Sequence, residues 1–222
     1  MDNKALNKAS DVPSKDATVV IVHGIWMNGL FMQALAWRLR KLGYKTRCIS
    51  YRFLRKTPEQ NAGRLAAAVA KIDTAEVHIA AHSLGGIVWL HYINSQPILP
   101  KGRTVLLGSP VKGSHIAARL HRWGIGRLVL GKSVEKGLLG GAPTHTKQRD
   151  VGLIRGGTHP FGFWFSEAAE PSDGAVLHSE TELPEVDQIT EVKWSHSTMV
   201  FSKTTAMKAA EFFECGEFSN TG

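Results

Sequence analysis

A serine, an aspartate and a histidine occur in this chain in the order and settings that nucleophilic acyl chemistry needs. Ser83 lies in Ala81-His82-Ser83-Leu84-Gly85-Gly86. An apolar run at residues 77–81 leads into it, and a helical pattern at residues 84–93 leads out. A serine on such a strand-to-helix turn projects its hydroxyl at the carboxyl end of a sheet. The turn is tight, so the positions two before and two after must be small. Ala81 and Gly85 meet that need, although glycine is the usual residue at the first. The Leu84 amide would stand at a helix N-terminus, where positive potential favours a developing oxyanion. The plainer reading of the pentapeptide alone is a helix N-cap serine. The flanking strand and helix favour the nucleophile.

Serine is a weak nucleophile and needs a base oriented by a carboxylate. On a sheet with this turn the chain order is Ser, then Asp or Glu, then His. Three aspartates follow Ser83: Asp150, Asp173 and Asp187. Asp150 precedes the strand-like run at 151–155 and so falls at its wrong end. Asp187 reads as a surface charge ahead of the next strand. Asp173 lies in Pro171-Ser172-Asp173-Gly174, a turn after a strand, with an ordinary Asp-Gly turn as the alternative. Only His178 and His196 follow it. His178 is too close in sequence to fold back separately. His196 follows the strand expected at residues 189–194, again at a carboxyl end.

His23-Gly24-Ile25 comes directly after the first strand-like run. Its backbone is placed to give the second oxyanion donor, and the Ile25 amide is the candidate, paired with that of Leu84. His23 itself reads as a loop histidine bonded to its own backbone. Trp26 is a candidate wall of the acyl pocket, with plain core packing the equal alternative.

Elements must hold these groups in place. Strand-like runs at residues 18–22, 45–51, 77–81, 104–107, 151–155 and 189–194 alternate in the first half with helical periodicities. Phe31, Leu35, Leu39 and Leu42 mark one helix, and Ala62, Leu65, Val69 and Ile72 mark a second. A last helix is expected at about residues 204–213. Short connections between strand and helix argue for βαβ units and a parallel sheet covered on both faces. Residues 111–149 break the rhythm. They are Gly-rich, carry eight Lys/Arg against one Asp/Glu, and include Ile116, Leu120, Trp123, Leu128, Val129 and Leu130.

These residues resemble the α/β-hydrolase family, especially its small bacterial lipase-like members. The likeness covers nearly all of residues 18–214. Besides the motifs above it rests on Leu107-Gly108-Ser109-Pro110, Lys112-Gly113-Ser114, Ser172-Asp173-Gly174-Ala175-Val176, Glu180-Thr181 and Ser195-His196. Alanine in the serine motif matches a variant of some small bacterial lipases. The resemblance implies an α/β-hydrolase fold, a mostly parallel sheet of about six strands flanked by helices. It implies Ser83 as nucleophile, Asp173 as acid, His196 as base, and the Ile25 and Leu84 amides as oxyanion donors. It also implies that residues 111–149 form a lid or cap. It carries over no metal, and acyl transfer to water needs no cofactor.

The 222 residues suit one domain over residues 18–214, after a polar segment at 1–17 and before a tail at 215–222. Residues 1–17 hold no apolar stretch of a secretory signal, and no apolar run has a membrane span's length. Two separated cysteines, Cys48 and Cys215, fit a reducing compartment. A cytoplasmic location is the expectation. The net charge of +8 is uneven, with an acidic C-terminal third and no nucleic-acid motif, so no nucleic-acid partner is expected. The expected partner is a small ester or a lipid. The basic segment 111–149 could lie on an anionic membrane surface, or its apolar side could pack on the core. The expected activity is hydrolysis of carboxylic esters. Acyl transfer or amide hydrolysis on the same groups, or a non-catalytic binding module, are the alternatives.

Overall fold

The computed structural model describes residues 15–96, 98–144, 149–157, 170–184 and 186–219. Most of the polar segment 1–17, residues 145–148 of the basic segment and the last three residues of the tail lie outside these. Among the described residues, six strands form one sheet: β1 Ala17–Val22, β2 Lys45–Ile49, β3 Glu76–His82, β4 Thr104–Leu107, β5 Val151–Gly156 and β6 Ile189–Val192. Their spatial order is β2-β1-β3-β4-β5-β6, and every pairing is parallel.

Helices cover both faces, as a parallel sheet requires. Alternation along β1 divides the core. Val20 and Val22 pack with Leu65, Leu84, Ile87 and Trp89, from α2 (Pro58–Val69) and α3 (Leu84–Ser95). Val19 and Ile21 face the other way, onto Leu35 and Leu39 of α1 (Gln33–Lys41) and Phe212 and Phe213 of α6 (Lys203–Cys215). Helix α3 is buried on all sides from Leu84 to Ile93, which explains why its sequence has no polar face. Local signals set several helix ends. Thr57 and Gln60 form a reciprocal capping box with Pro58 in the first turn of α2. Ser202 caps the start of α6 by accepting from the Thr205 amide, and Gly216 ends it at a positive φ.

The chain leaves β1 for β2 on one side and later enters β3 on the other. Such a reversal opens a crevice at the carboxyl ends of the strands. Residues that follow β1, β3, β4 and β6, and the turn at 172–176 between β5 and β6, gather there.

The basic segment forms α4 (His115–Arg122), α5 (Gly126–Leu130) and a short 3-10 turn at Gly131–Val134. Part of it lies at this end, where Ile116, Ala117, Leu130 and Leu138 line one cavity with Ser83. Its inner residues Ala117, Leu130 and Leu138 join the core cluster on the α2–α3 face. Trp123 and Leu128 point outward, 60% and 82% exposed. No helix among the described residues is long and apolar enough to cross a membrane.

Candidate active site

Ser83 is the hinge between β3 and α3. Its φ of 52° and ψ of −124° lie where a residue with a β-carbon is strained. Packing at the turn holds it there. A β-carbon on Gly85 would lie 2.7 Å from the Val22 carbonyl oxygen and 2.8 Å from that of His23. Only glycine lets the first turn of α3 sit directly on the end of β1. Ser83 makes no side-chain capping bond, so its hydroxyl does not serve the helix.

That hydroxyl instead meets His196. Ser83 Oγ lies 3.0 Å from His196 Nε2, and His196 Nδ1 lies 2.7 Å from Asp173 Oδ2. A carboxylate only accepts, so Nδ1 carries the proton and Nε2 is left to accept from the serine. Asp173 Oδ1 accepts from the amides of Ala175 at 3.0 Å and Val176 at 2.8 Å. The Asp173 carbonyl accepts from the His196 amide at 2.9 Å, joining the two loops through the backbone as well. Burial opposes ionisation of Asp173, but His196 and the two amides outweigh it and hold the carboxyl below its usual pKa. The structure therefore brings Ser83, Asp173 and His196 into one hydrogen-bonded chain.

The rival residues lie elsewhere. Asp150 pairs with Arg103 at the amino end of the strands, and Asp187 is exposed just before β6 begins. His178 donates from Nε2 to the Gly156 carbonyl at 3.0 Å.

His23-Gly24-Ile25 forms the loop after β1. The His23 ring is buried and stacks on Tyr51, with ring centres 4.2 Å apart. Its Nε2 accepts from the Tyr51 amide, so Nδ1 carries the proton and donates to the Gly24 carbonyl at 2.7 Å. Burial lowers its pKa and keeps it neutral. This ring fixes the loop and is bonded away from Ser83. The Ile25 amide has no hydrogen-bond acceptor among the described residues. Leu84, first in α3, has no acceptor within its helix.

A cavity of about 170 Å³ opens against Ser83 and His196. Ile25, Trp26, Ala117, Leu130, Leu138 and Val176 give it a mostly apolar lining. Trp26 is 56% exposed, so it is rim and not packed core, and its Nε1 donates to the Val129 carbonyl of the basic segment at 3.0 Å. A larger cavity of about 630 Å³ lies at the opposite, amino end of the strands. Ion pairs such as Lys101–Glu76 and Arg103–Asp150 line it, remote from Ser83.

Two supporting residues had no role in the sequence reading. His82 Nε2 donates to the His196 carbonyl at 2.9 Å, which clamps the loop after β6 onto β3. Full burial, reinforced by the neighbouring His196, pushes the His82 pKa down to about 3, so it remains a neutral single-proton donor. Gly108 adopts a φ of +51°, and a β-carbon there would lie 2.6 Å from Asp173 Oδ2. It clears the space that the carboxylate occupies. The glycine at a strand end was a usable signal for Gly108. His82 gave none, because its partner is 114 residues away.

Residues 19–205 match the alpha/beta hydrolase family, and the chain belongs to it. No curated protein matches the sequence. Among solved structures, the mature lipase BlEst2 of Bacillus licheniformis is similar at a TM-score of 0.74 and 20% identity, over 92% of each chain. A metagenomic carboxyl esterase is similar at 0.71 and 15%, over 91% of this chain and 77% of that one. The phospholipase PlaB of Legionella pneumophila is similar at 0.65 and 16%, over 90% of this chain and 59% of that one. At these identities the likeness establishes the fold.

Proposed function

We propose that this protein hydrolyses carboxylic esters through a covalent acyl-enzyme on Ser83. The observation that carries the reading is the continuous Ser83–His196–Asp173 hydrogen-bond chain at the mouth of an apolar cavity. His196 Nε2 takes the Ser83 proton as Oγ attacks the ester carbonyl. The Ile25 and Leu84 amides receive the negative oxygen of the tetrahedral intermediate. His196 then gives its proton to the leaving alkoxide, releasing the alcohol. Water, deprotonated by the same nitrogen, attacks the acyl-enzyme and frees the acid. Asp173 keeps the imidazole in the required tautomer and stabilises its charged form. The fold relatives that are a lipase, a carboxyl esterase and a phospholipase support an ester over an amide. Release of p-nitrophenol from p-nitrophenyl esters tests this, and no release above the rate in buffer would reject it.

His82 acts here as a positioning residue for His196. His82→Ala should lower kcat by about 10- to 100-fold with KM little changed, because a small misplacement of the base is costly. His82→Gln keeps an N–H donor within reach and should recover part of the loss. Equal loss in both variants, or a change confined to KM, would contradict the role.

The cap also supports a peripheral membrane partner. Trp123, Ile125 and Leu128 are exposed on its outer face beside Arg122, Arg127 and Lys132, with the Arg119 guanidinium 4.8 Å from the Trp123 ring centre. Each cation near an anionic surface contributes roughly 1 kcal/mol, and salt screens it. Co-sedimentation with anionic vesicles at low salt, lost at high salt and absent with neutral lipid, is the expected result. Equal or absent binding to both vesicle types would reject this partner and leave the hydrolase reading intact.

A further inference from the structure

We infer that the acyl subsite is short and fixed, and that it selects acyl chains of roughly six carbons or fewer; the inference rests on the ester-hydrolase reading. The cavity at Ser83 holds about 170 Å³. A dry apolar cavity of roughly 150 Å³ accepts a benzene ring, so about six carbons fill this space, and a longer chain must leave through its open mouth into water. Pockets for drug-sized ligands are larger, about 300–1,000 Å³.

The wall that would have to retreat for a longer chain is part of the core. Ala117, Leu130 and Leu138 line the cavity and are packed in the same cluster as Leu84 and Ile87 of α3. Hydrogen bonds hold this wall on several sides. The Leu138 amide donates to the Ser133 carbonyl at 3.0 Å, and the Leu138 carbonyl accepts from Ser114 at 2.7 Å. The Lys132 amide donates to the Leu54 carbonyl at 3.0 Å. His91 Nε2, on α3, donates to the Lys136 carbonyl at 2.7 Å. The buried Glu180 carboxylate binds both the backbone amide and Nδ1 of His115, which ties the start of α4 to the loop that carries Asp173. Moving the cap away from the body would break the Lys132–Leu54, His91–Lys136 and Glu180–His115 bonds together. Interiors packed in this way accommodate extra methylenes poorly. Ile116 is the exception, since it lines the cavity while remaining partly exposed. Its side chain can be shortened without hollowing the core.

The test is kcat/KM for p-nitrophenyl esters from acetate to dodecanoate, all below their aggregation concentrations. The wild-type protein should peak between acetate and hexanoate and fall at least tenfold by decanoate. Ile116→Ala and Leu130→Ala should raise the decanoate-to-butyrate ratio at least tenfold. Ala117→Val should lower the hexanoate-to-acetate ratio by a similar factor. If Leu130→Ala fails to fold, the partly exposed Ile116 still supplies the enlarged pocket. Wild-type rates on decanoate equal to those on butyrate would overturn the short subsite while leaving the esterase reading in place. Unchanged ratios in all folded variants would do the same. Absence of hydrolysis at every chain length would overturn both.

Discussion

Ser83→Ala should lower kcat for ester hydrolysis by about 10³- to 10⁶-fold while the protein stays folded. The size of the loss follows from the chemistry. Without Oγ no acyl-enzyme forms, and His196 and Asp173 lose their joint purpose, so one deletion costs as much as several. The residual rate would come from the Ile25 and Leu84 amides and from binding alone. Stability should hold because Ser83 caps nothing in α3, and alanine meets the same backbone conformation at φ 52°. The checks are turnover of purified variant alongside its circular dichroism and melting temperature. Turnover near wild type in a folded variant would remove Ser83 from the mechanism.

Asp173→Asn should cost about 10⁴ in kcat. The asparagine oxygen can retain the amides of Ala175 and Val176, so the turn survives. The nitrogen replacing Oδ2 is a donor, and it faces His196 Nδ1 at a position 2.7 Å away in the native protein. The imidazole then moves its proton to Nε2 and can no longer accept from Ser83. Asp187→Asn should leave the rate almost unchanged, since that carboxylate is exposed ahead of β6. The reverse ranking would move the acid to Asp187. Because the Asp173 pKa is depressed in the folded state, its stabilising contribution is complete above the ordinary carboxylate value. It is lost as pH falls through the depressed value. The wild-type protein should therefore lose this contribution on acidification, and the Asn variant should show a flatter loss of melting temperature there.

Much of the sheet was legible because its inner strands are buried, mostly apolar runs with a turn at the end. Thr104–Leu107 is the plainest example, four buried residues closed by Gly108-Ser109-Pro110. Boundaries were less legible. Phe31 fits the period of α1, but the helix starts at Gln33 and Phe31 is exposed. Ile72 likewise lies beyond the end of α2 at Val69. Strand β6 ends at Val192, not Trp194, because the Trp194 amide turns back to the Val192 carbonyl at 2.7 Å. That early turn carries His196 toward Ser83.

Chain order and strand ends singled out the three groups that the structure brings together. The basic segment was only half legible. Its sequence allowed either a core-packed or an outward apolar side, and the fold has both: Leu130 inward, Leu128 outward. Two residues apart on a short helix, they face opposite ways, which composition alone does not resolve. The clamp from His82 to His196 depends on a contact between β3 and a distant loop, and no local pattern announces it.

The most direct test of the central claim is covalent labelling of the intact protein by a fluorophosphonate, followed by peptide mapping. An activated serine attacks phosphorus and displaces fluoride, whereas an ordinary buried serine does not. The account predicts one phosphonyl group per chain, on Ser83, with ester hydrolysis lost in proportion and labelling abolished in Ser83→Ala. Stoichiometric labelling at another residue, or ester hydrolysis that persists after Ser83 is fully modified, would contradict it.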